Sequence, residues 1–286
     1  MVAGAPPATP VPEPPPELRF RRRISLSSFG RELWRSRELI RTLVERDLRA
    51  RYRQAVLGFM WSILPSLGLM LVLTVFVQRV GDVFTEGVPY EIYAFVALVP
   101  WQFFSSAMAT GSQSLITNLA LLNKVYCPRE VFPLASVVVA AFDAVVALSV
   151  LVVLFPLTGT TPKLTTFWVV PLVAVLVAFT VGLTLLTSAV VIYLRDLRHA
   201  LPVLLQFGLF ATPVAYSLDA VPSSLRPLYS AVNPLAPVID GLRASVLLGR
   251  SPRLGLLGIG ALTSLVVLGV GIVAFKRLET GIADVG

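Results

Sequence analysis

Six apolar stretches alternate with short polar segments along this 286-residue chain, each at or near the length of a membrane-crossing helix. They run over Ala55–Val77, within Ile92–Leu122, and over about Val131–Phe155, Phe167–Tyr193, Ala200–Ser217 and Leu254–Phe275. Crossing a hydrocarbon layer takes roughly 20 helical residues, so the pattern predicts an all-α integral membrane protein with six transmembrane helices. The second stretch is longer than one crossing needs, which predicts a tilt or kink near Pro100.

Ahead of the first stretch the period changes. Leu26, Phe29, Leu33 and Trp34, then Ile40, Leu43, Val44 and Leu48, recur at helical spacing with arginines between them. This predicts an amphipathic helix, or two broken near Ser36, lying at the membrane interface. A helix packed on the protein's own polar face is the alternative. Residues 1–18 form a Pro/Ala-rich tail, disordered or polyproline-like. It lacks the apolar core and cleavage site of a signal peptide. The organisation read from the pattern is therefore a tail (1–18), a basic amphipathic segment (19–53) and a six-span domain (54–286). Between the last two spans, Leu218–Pro252 is Pro-rich yet carries the amphipathic run LAPVIDGLRASVLL. Short re-entrant helices before the last span are predicted there, with a small extracellular cap as the alternative.

Charge sets the orientation. Twelve of the 24 Lys and Arg residues lie between Arg19 and Arg53, beside the first span. With both termini cytoplasmic, inside segments hold eighteen cations and outside segments six, among them Arg243. That excess predicts an N-in, C-in topology. The same placement turns the net charge of +8 toward anionic headgroups rather than nucleic acid. The one cysteine, Cys127, rules out an internal disulfide and a cysteine-only metal cluster, and the one histidine, His199, leaves little material for a transition-metal site.

No GxxxxGK[ST] phosphate loop occurs, nor any Ser-His-Asp, paired-carboxylate or zinc pattern, so catalysis is not expected. Isolated acids in the loops form no compact cluster, which argues against a membrane glycosyltransferase. Two polar stripes run through the spans: Gln102, Ser106, Thr110, Gln113 and Thr117 in the second, and Thr180, Thr184, Thr187 and Ser188 in the fourth. Each fits either a hydrated path for a polyhydroxylated solute or interhelical packing. Asp143 is the one ionisable side chain well inside a span, either a proton or cation site or a structural hydrogen-bond partner. Among the aromatics, Trp61, Trp101, Phe103, Phe104, Phe210 and Tyr216 are candidates to stack on sugar rings, and interface anchoring or packing is the other reading.

Five segments carry a resemblance. ERDLRARYRQAVLGFMWSILPS, VPWQFFSSAM, LLNKVYCPREVFPL, YLRDLRHALPVLLQFGLFATPVAYSLDAVP and NPLAPVIDGLRASVLLG follow one another in order. Together they resemble the permease subunits of ABC-type polysaccharide exporters, including O-antigen, capsule and teichoic-acid carriers. The resemblance extends from about Leu26 to the C-terminus and leaves the tail outside.

It implies a homodimer working with two copies of a separate cytoplasmic ABC ATPase, which binds the ATP and Mg while this chain binds no cofactor. The ATPase-coupling positions would be Leu33 and Trp34 with Asn123, Lys124, Tyr126, Pro128, Arg129 and Glu130. Arg49, Arg51, Arg53, Arg195, Asp196 and Arg198 would stand at the cytoplasmic entrance for a lipid-linked polysaccharide; the last three could equally pair among themselves. Trp61, Gln102, Phe103, Ser106, Thr110, Gln113, Phe210 and Tyr216 would line the polymer path. An ABC exporter of a drug or lipid, or an ion-coupled transporter using Asp143, are the competing readings.

Overall fold

The computed structural model describes residues 26–53, 58–80, 85, 87–122 and 127–278, and among them the secondary structure is helical throughout. The basic segment forms α1 (Leu26–Arg35) and α2 (Arg37–Tyr52), which part at Ser36. A turn through Gly58, whose positive φ of 50° suits a residue without Cβ, leads to α3 (Met60–Val80). Then come α4 (Tyr90–Gly111) and two single turns, α5 (Ser114–Thr117) and α6 (Leu119–Leu122). α7 (Val131–Leu148) and α8 (Val150–Leu157) are nearly continuous. A 3-10 turn introduces α9 (Val169–Tyr193), followed by α10 (Leu197–Ala211), α11 (Arg226–Val232), α12 (Leu235–Val246) and α13 (Leu254–Leu278).

Helix α4 is the centre of the bundle. From Tyr90 to Phe104 every residue except Glu91 and Gln102 is buried, as expected of a helix apolar on all sides. It is surrounded by α3, α7, α9, α10 and α12. The tightest pair is α9 with α13. A Cβ added at Gly271 would stand 2.1 Å from the Gly182 carbonyl oxygen, and one at Gly182 would stand 2.5 Å from Leu268 Cα. The two backbones touch, the close approach that small residues permit between helices in lipid.

Among the described residues, two hydrophobic cores result. The larger joins α3, α4, α7, α9 and α12 around Ile92, Phe95, Leu98 and Ile239. The smaller lies at the other end and gathers Leu43 of α2, Leu115 of α5, Val131 and Phe132 of α7, Leu185 of α9, and Ile272 and Phe275 of α13. Helix α2 thus runs along α7. Leu43 sits in the cluster with Val131 and Phe132, and nine residues on, about 13 Å of helix, Tyr52 meets Asp143. The basic segment is packed on the protein, the alternative that its pattern left open.

Several boundaries differ from expectation. Among the described residues, four helical stretches are long and apolar enough to cross a membrane: Tyr90–Gly111, Val131–Leu157, Leu164–Tyr193 and Leu254–Leu278. Met60–Phe76 and Leu197–Ala211 are shorter apolar helices. The second stretch does not run on to Leu122; its helix ends at Gly111, where a Cβ would stand 2.3 Å from Thr184 Cγ2, and Ser112 and Gln113 interrupt it. Pro100, by contrast, lies inside the unbroken helix. The fifth stretch ends at Ala211 because Thr212 is extended ahead of Pro213, a residue that disfavours helix in its predecessor.

Candidate functional site

A cavity of about 280 Å³ opens between α2, α3, α4 and α7. Its lining includes Arg51, Trp61, Ser62, Gln102, Phe103, Ser106 and Asp143. Four of the predicted path residues, one predicted entrance arginine and the intramembrane acid therefore meet in one place. Gln102 and Ser106 are the half-buried positions on an otherwise buried face of α4, which turns an amide and a hydroxyl into the cavity. Trp61 and Phe103 supply aromatic walls.

Of the two readings open for Asp143, the structure shows the structural hydrogen-bond partner, with an ion pair added. Arg51 donates to Oδ2, while Tyr52 Oη donates to Oδ1 and Ser62 Oγ reaches Oδ1 at 3.1 Å. A half-buried carboxylate with a cation and two hydroxyl donors has its charge offset. The feature that favoured an ion-coupled transporter is thereby removed. Tyr52 and Ser62 were missed as site residues, although one signal for Ser62 was present. Ser62, Ser66, Met70 and Thr74, every fourth residue, form the buried face of α3.

The other path candidates lie elsewhere. Thr110 is exposed and bonds back to the Ser106 carbonyl at 2.8 Å. Gln113 precedes α5 beyond the helix break, so the polar stripe does not continue as one face. Phe210 is exposed on α10, and the Tyr216 hydroxyl donates to its carbonyl at 3.2 Å. In α9, Thr180, Thr184 and Ser188 are fully buried, and Thr180 and Ser188 bond to their own helix. That stripe is packing.

At the small-core end, Glu130 cannot touch a partner as predicted. It is 0% exposed, with Lys276 Nζ 2.6 Å from Oε1, and ties the start of α7 to the end of α13. Tyr193 of α9 joins the same knot through the Leu278 carbonyl at 2.8 Å. Pro128 and Arg129 are half-buried, Leu33 borders the small core, and Trp34 is 71% exposed beneath the Arg37 guanidinium. Asn123, Lys124 and Tyr126 lie outside the described residues. Arg49 pairs with Glu45 at 3.3 Å, and Arg53 is exposed. Arg195 and Asp196 are exposed, while Arg198 is half-buried with its Nε unpartnered. Among the described residues no ion pair joins these last three.

At the opposite end, Arg243 is 2% exposed and so does not belong with the loop charges. It donates to the carbonyls of Tyr93 at 3.1 Å, Pro213 at 2.8 Å, Val214 and Tyr216 at 2.9 Å, and lies 3.7 Å from the Tyr93 ring centroid. It fastens α12 to α4 and to the exit of α10. Nearby, Asp219 accepts from Arg253 at 2.7 Å and pairs with Arg226 at 3.0 Å. The Arg253 hydrogen bond, aided by the charges of Arg253 and Arg226, holds the Asp219 carboxyl below its ordinary 3.8. A depressed pKa contributes stability at full strength above the ordinary value and loses it as pH falls through the folded one. The stability difference between wild type and Asp219→Asn is expected to stay constant from about pH 7 to 5 and to shrink below the ordinary carboxylate range, measured by thermal unfolding in detergent.

From residue 38 to residue 247 the chain matches the ABC-2 type transporter family. It is 34% identical over 221 residues to the O-antigen export system permease protein RfbA of Myxococcus xanthus, covering 75% of this chain and 82% of the relative. A Klebsiella pneumoniae O-antigen export system permease protein RfbA is 28% identical over 253 residues, 87% of this chain and 95% of the relative. The polysialic acid transport protein KpsM of Escherichia coli is 24% identical over 249 residues, 84% and 93% of the two chains.

Proposed function

The chain belongs to the ABC-2 type transporter family, and from that premise we propose that it forms, as a homodimer with two copies of a separate ATPase, the path for a lipid-linked polysaccharide. It is the membrane subunit of an exporter of a cell-surface polysaccharide, a transporter component rather than an enzyme, and a multi-pass protein of the bacterial inner membrane. ATP and its Mg belong to the partner, and this chain supplies the route and the moving parts. In this reading α3 and α10 complete a set of six spans, both termini face the cytoplasm, and α11 and α12 dip into the outer interface.

The observation that carries the reading is the cavity. Polyhydroxylated solutes are held by neutral hydrogen-bonding groups and flat apolar faces that release them readily. Gln102 and Ser106 beside Trp61 and Phe103 supply both, and Arg51 adds a cation suited to a carrier phosphate. A channel for a polymer exceeds what one such cavity offers, so two copies would face each other across it.

Coupling would run through the small core. A partner pressing on residues 123–129 moves the start of α7, and with it α2, α9 and α13, as one body. Affinity purification from gently solubilised native membranes, with mass spectrometry, tests the partnership. A stoichiometric subunit with a phosphate loop is expected, its ATPase activity falling severalfold when Lys124 and Arg129 are changed to alanine. A chain that purifies alone, under conditions that keep other complexes whole, would refute it.

A further inference from the structure

We propose that Asp143 is a built-in counter-ion that holds Arg51 until an anionic lipid headgroup takes its place. The inference rests on the export reading above and concerns how its cavity admits the carrier.

The pair is asymmetric. Arg51 makes one contact, from Nη1 to Asp143 Oδ2, and among the described residues its remaining guanidinium donors have no partner. A planar fork with donors to spare can receive a phosphate. Asp143 is satisfied twice over. Its Oδ1 accepts from Tyr52 and from Ser62, so it remains hydrogen-bonded when the arginine leaves. The two hydroxyls lower the cost of separating the ions.

Exposure points the same way. The Arg51 side chain is 37% exposed and that of Asp143 14%, so the cation stands on the open side of the pair. Its neighbours along α2 are otherwise engaged: Glu45 pairs with Arg41 and Arg49, and Asp47 with Arg46. Arg51 is the cation that lines the cavity. Beside it, Phe59, Met60, Trp61 and Leu64 of α3 and its preceding turn are exposed apolar side chains along which a hydrocarbon chain can lie. The ligand is therefore a phosphate or diphosphate carried on a long apolar tail, not a free anion. A resident carboxylate serves selectivity, because a soluble anion must displace it without the apolar contact that a tail supplies.

The two members of the pair should consequently act in opposite directions. The complex is reconstituted in phosphatidylcholine nanodiscs, and binding of a radiolabelled polyprenyl phosphate is measured, with inorganic pyrophosphate as competitor. Arg51→Gln is expected to weaken binding about tenfold, Asp143→Asn to tighten it about tenfold, and pyrophosphate to compete poorly with the wild type. Tyr52→Phe strips one hydroxyl from Asp143, which then grips Arg51 harder, and should weaken binding about threefold. That variant decides the matter if Asp143→Asn does not fold. A structural ion pair would make both charge variants weaken binding together, and that result overturns the proposal, as does an unchanged Asp143→Asn or an unchanged Tyr52→Phe. Equal competition by pyrophosphate overturns the lipid source. A wild type that binds no polyprenyl phosphate refutes the export reading itself, a failure distinct from binding that responds to the variants with the wrong sign.

Discussion

Lys276→Met is expected to destabilise the protein by about 3–5 kcal/mol and to abolish transport, because it leaves Glu130 as a buried, uncompensated charge. Glu130 is 0% exposed, one of its oxygens is held by Lys276 at 2.6 Å, and the other, Oε2, has no hydrogen-bond partner. The double variant Glu130→Gln, Lys276→Met removes both charges and should regain most of the lost stability. Thermal unfolding of the detergent-solubilised complex reads both effects. If the single variant unfolds with the wild type, the pair does not tie α7 to α13, and the coupling route through the small core is wrong.

The second large effect is steric. Valine at Gly271 would drive its Cβ into the Gly182 carbonyl, 2.1 Å away, and backbone on both sides leaves no flexible side chain to yield. Overpacking a core costs about 1–3 kcal/mol when side chains can shift, and this site belongs at or above the top of that range. Loss of the folded complex on size-exclusion chromatography is expected for Gly271→Val and for Gly182→Val. Gly255, Gly258 and Gly269 lie on the same helix as Gly271, and a Cβ added at any of them would meet nothing within 4 Å. Alanine at those three positions should therefore leave the elution profile unchanged. Equal tolerance at all five positions would contradict the close packing of α9 on α13.

Much of this was legible in the chain, and the reason is the period. Apolar runs of membrane length mark α4, α7 with α8, α9 and α13, and the interruption at Ser36 falls where the arginine-rich pattern changes phase. A period reveals which face of a helix is apolar but not what covers it. Gly260 and Ser264, four apart in the last span, both face inward: Gly260 lies against Pro237 and Ser264 is buried. The closest contact, however, is at Gly271, for which the spacing offered no special sign. The polar stripe from Gln102 to Thr117 obeyed helical arithmetic, yet the helix stops at Gly111 and Ser112 and Gln113 interrupt the face before α5.

The ion pairs were beyond the reach of sequence for a simpler reason. Arg51 and Asp143 are 92 residues apart, and Glu130 and Lys276 are 146 apart. Each looked like a free charge until the chain was folded. Glu130 consequently passed for a contact with an outside partner, and Asp143 stayed open between an ion site and a structural hydrogen bond. Arg243 passed for a loop charge, since the amphipathic run around it does not reveal that its arginine points inward to four carbonyls.

The central claim is export of a cell-surface polysaccharide, and its most direct measurement is where that polysaccharide goes when the chain is absent. In the bacterium that encodes it, the gene is deleted and newly made glycans are labelled with radioactive sugar. The account predicts that surface glycan is lost while its lipid-linked form accumulates on the cytoplasmic leaflet, and that the wild-type gene restores export. Surface glycan at its normal level, with no lipid-linked precursor accumulating, would contradict it.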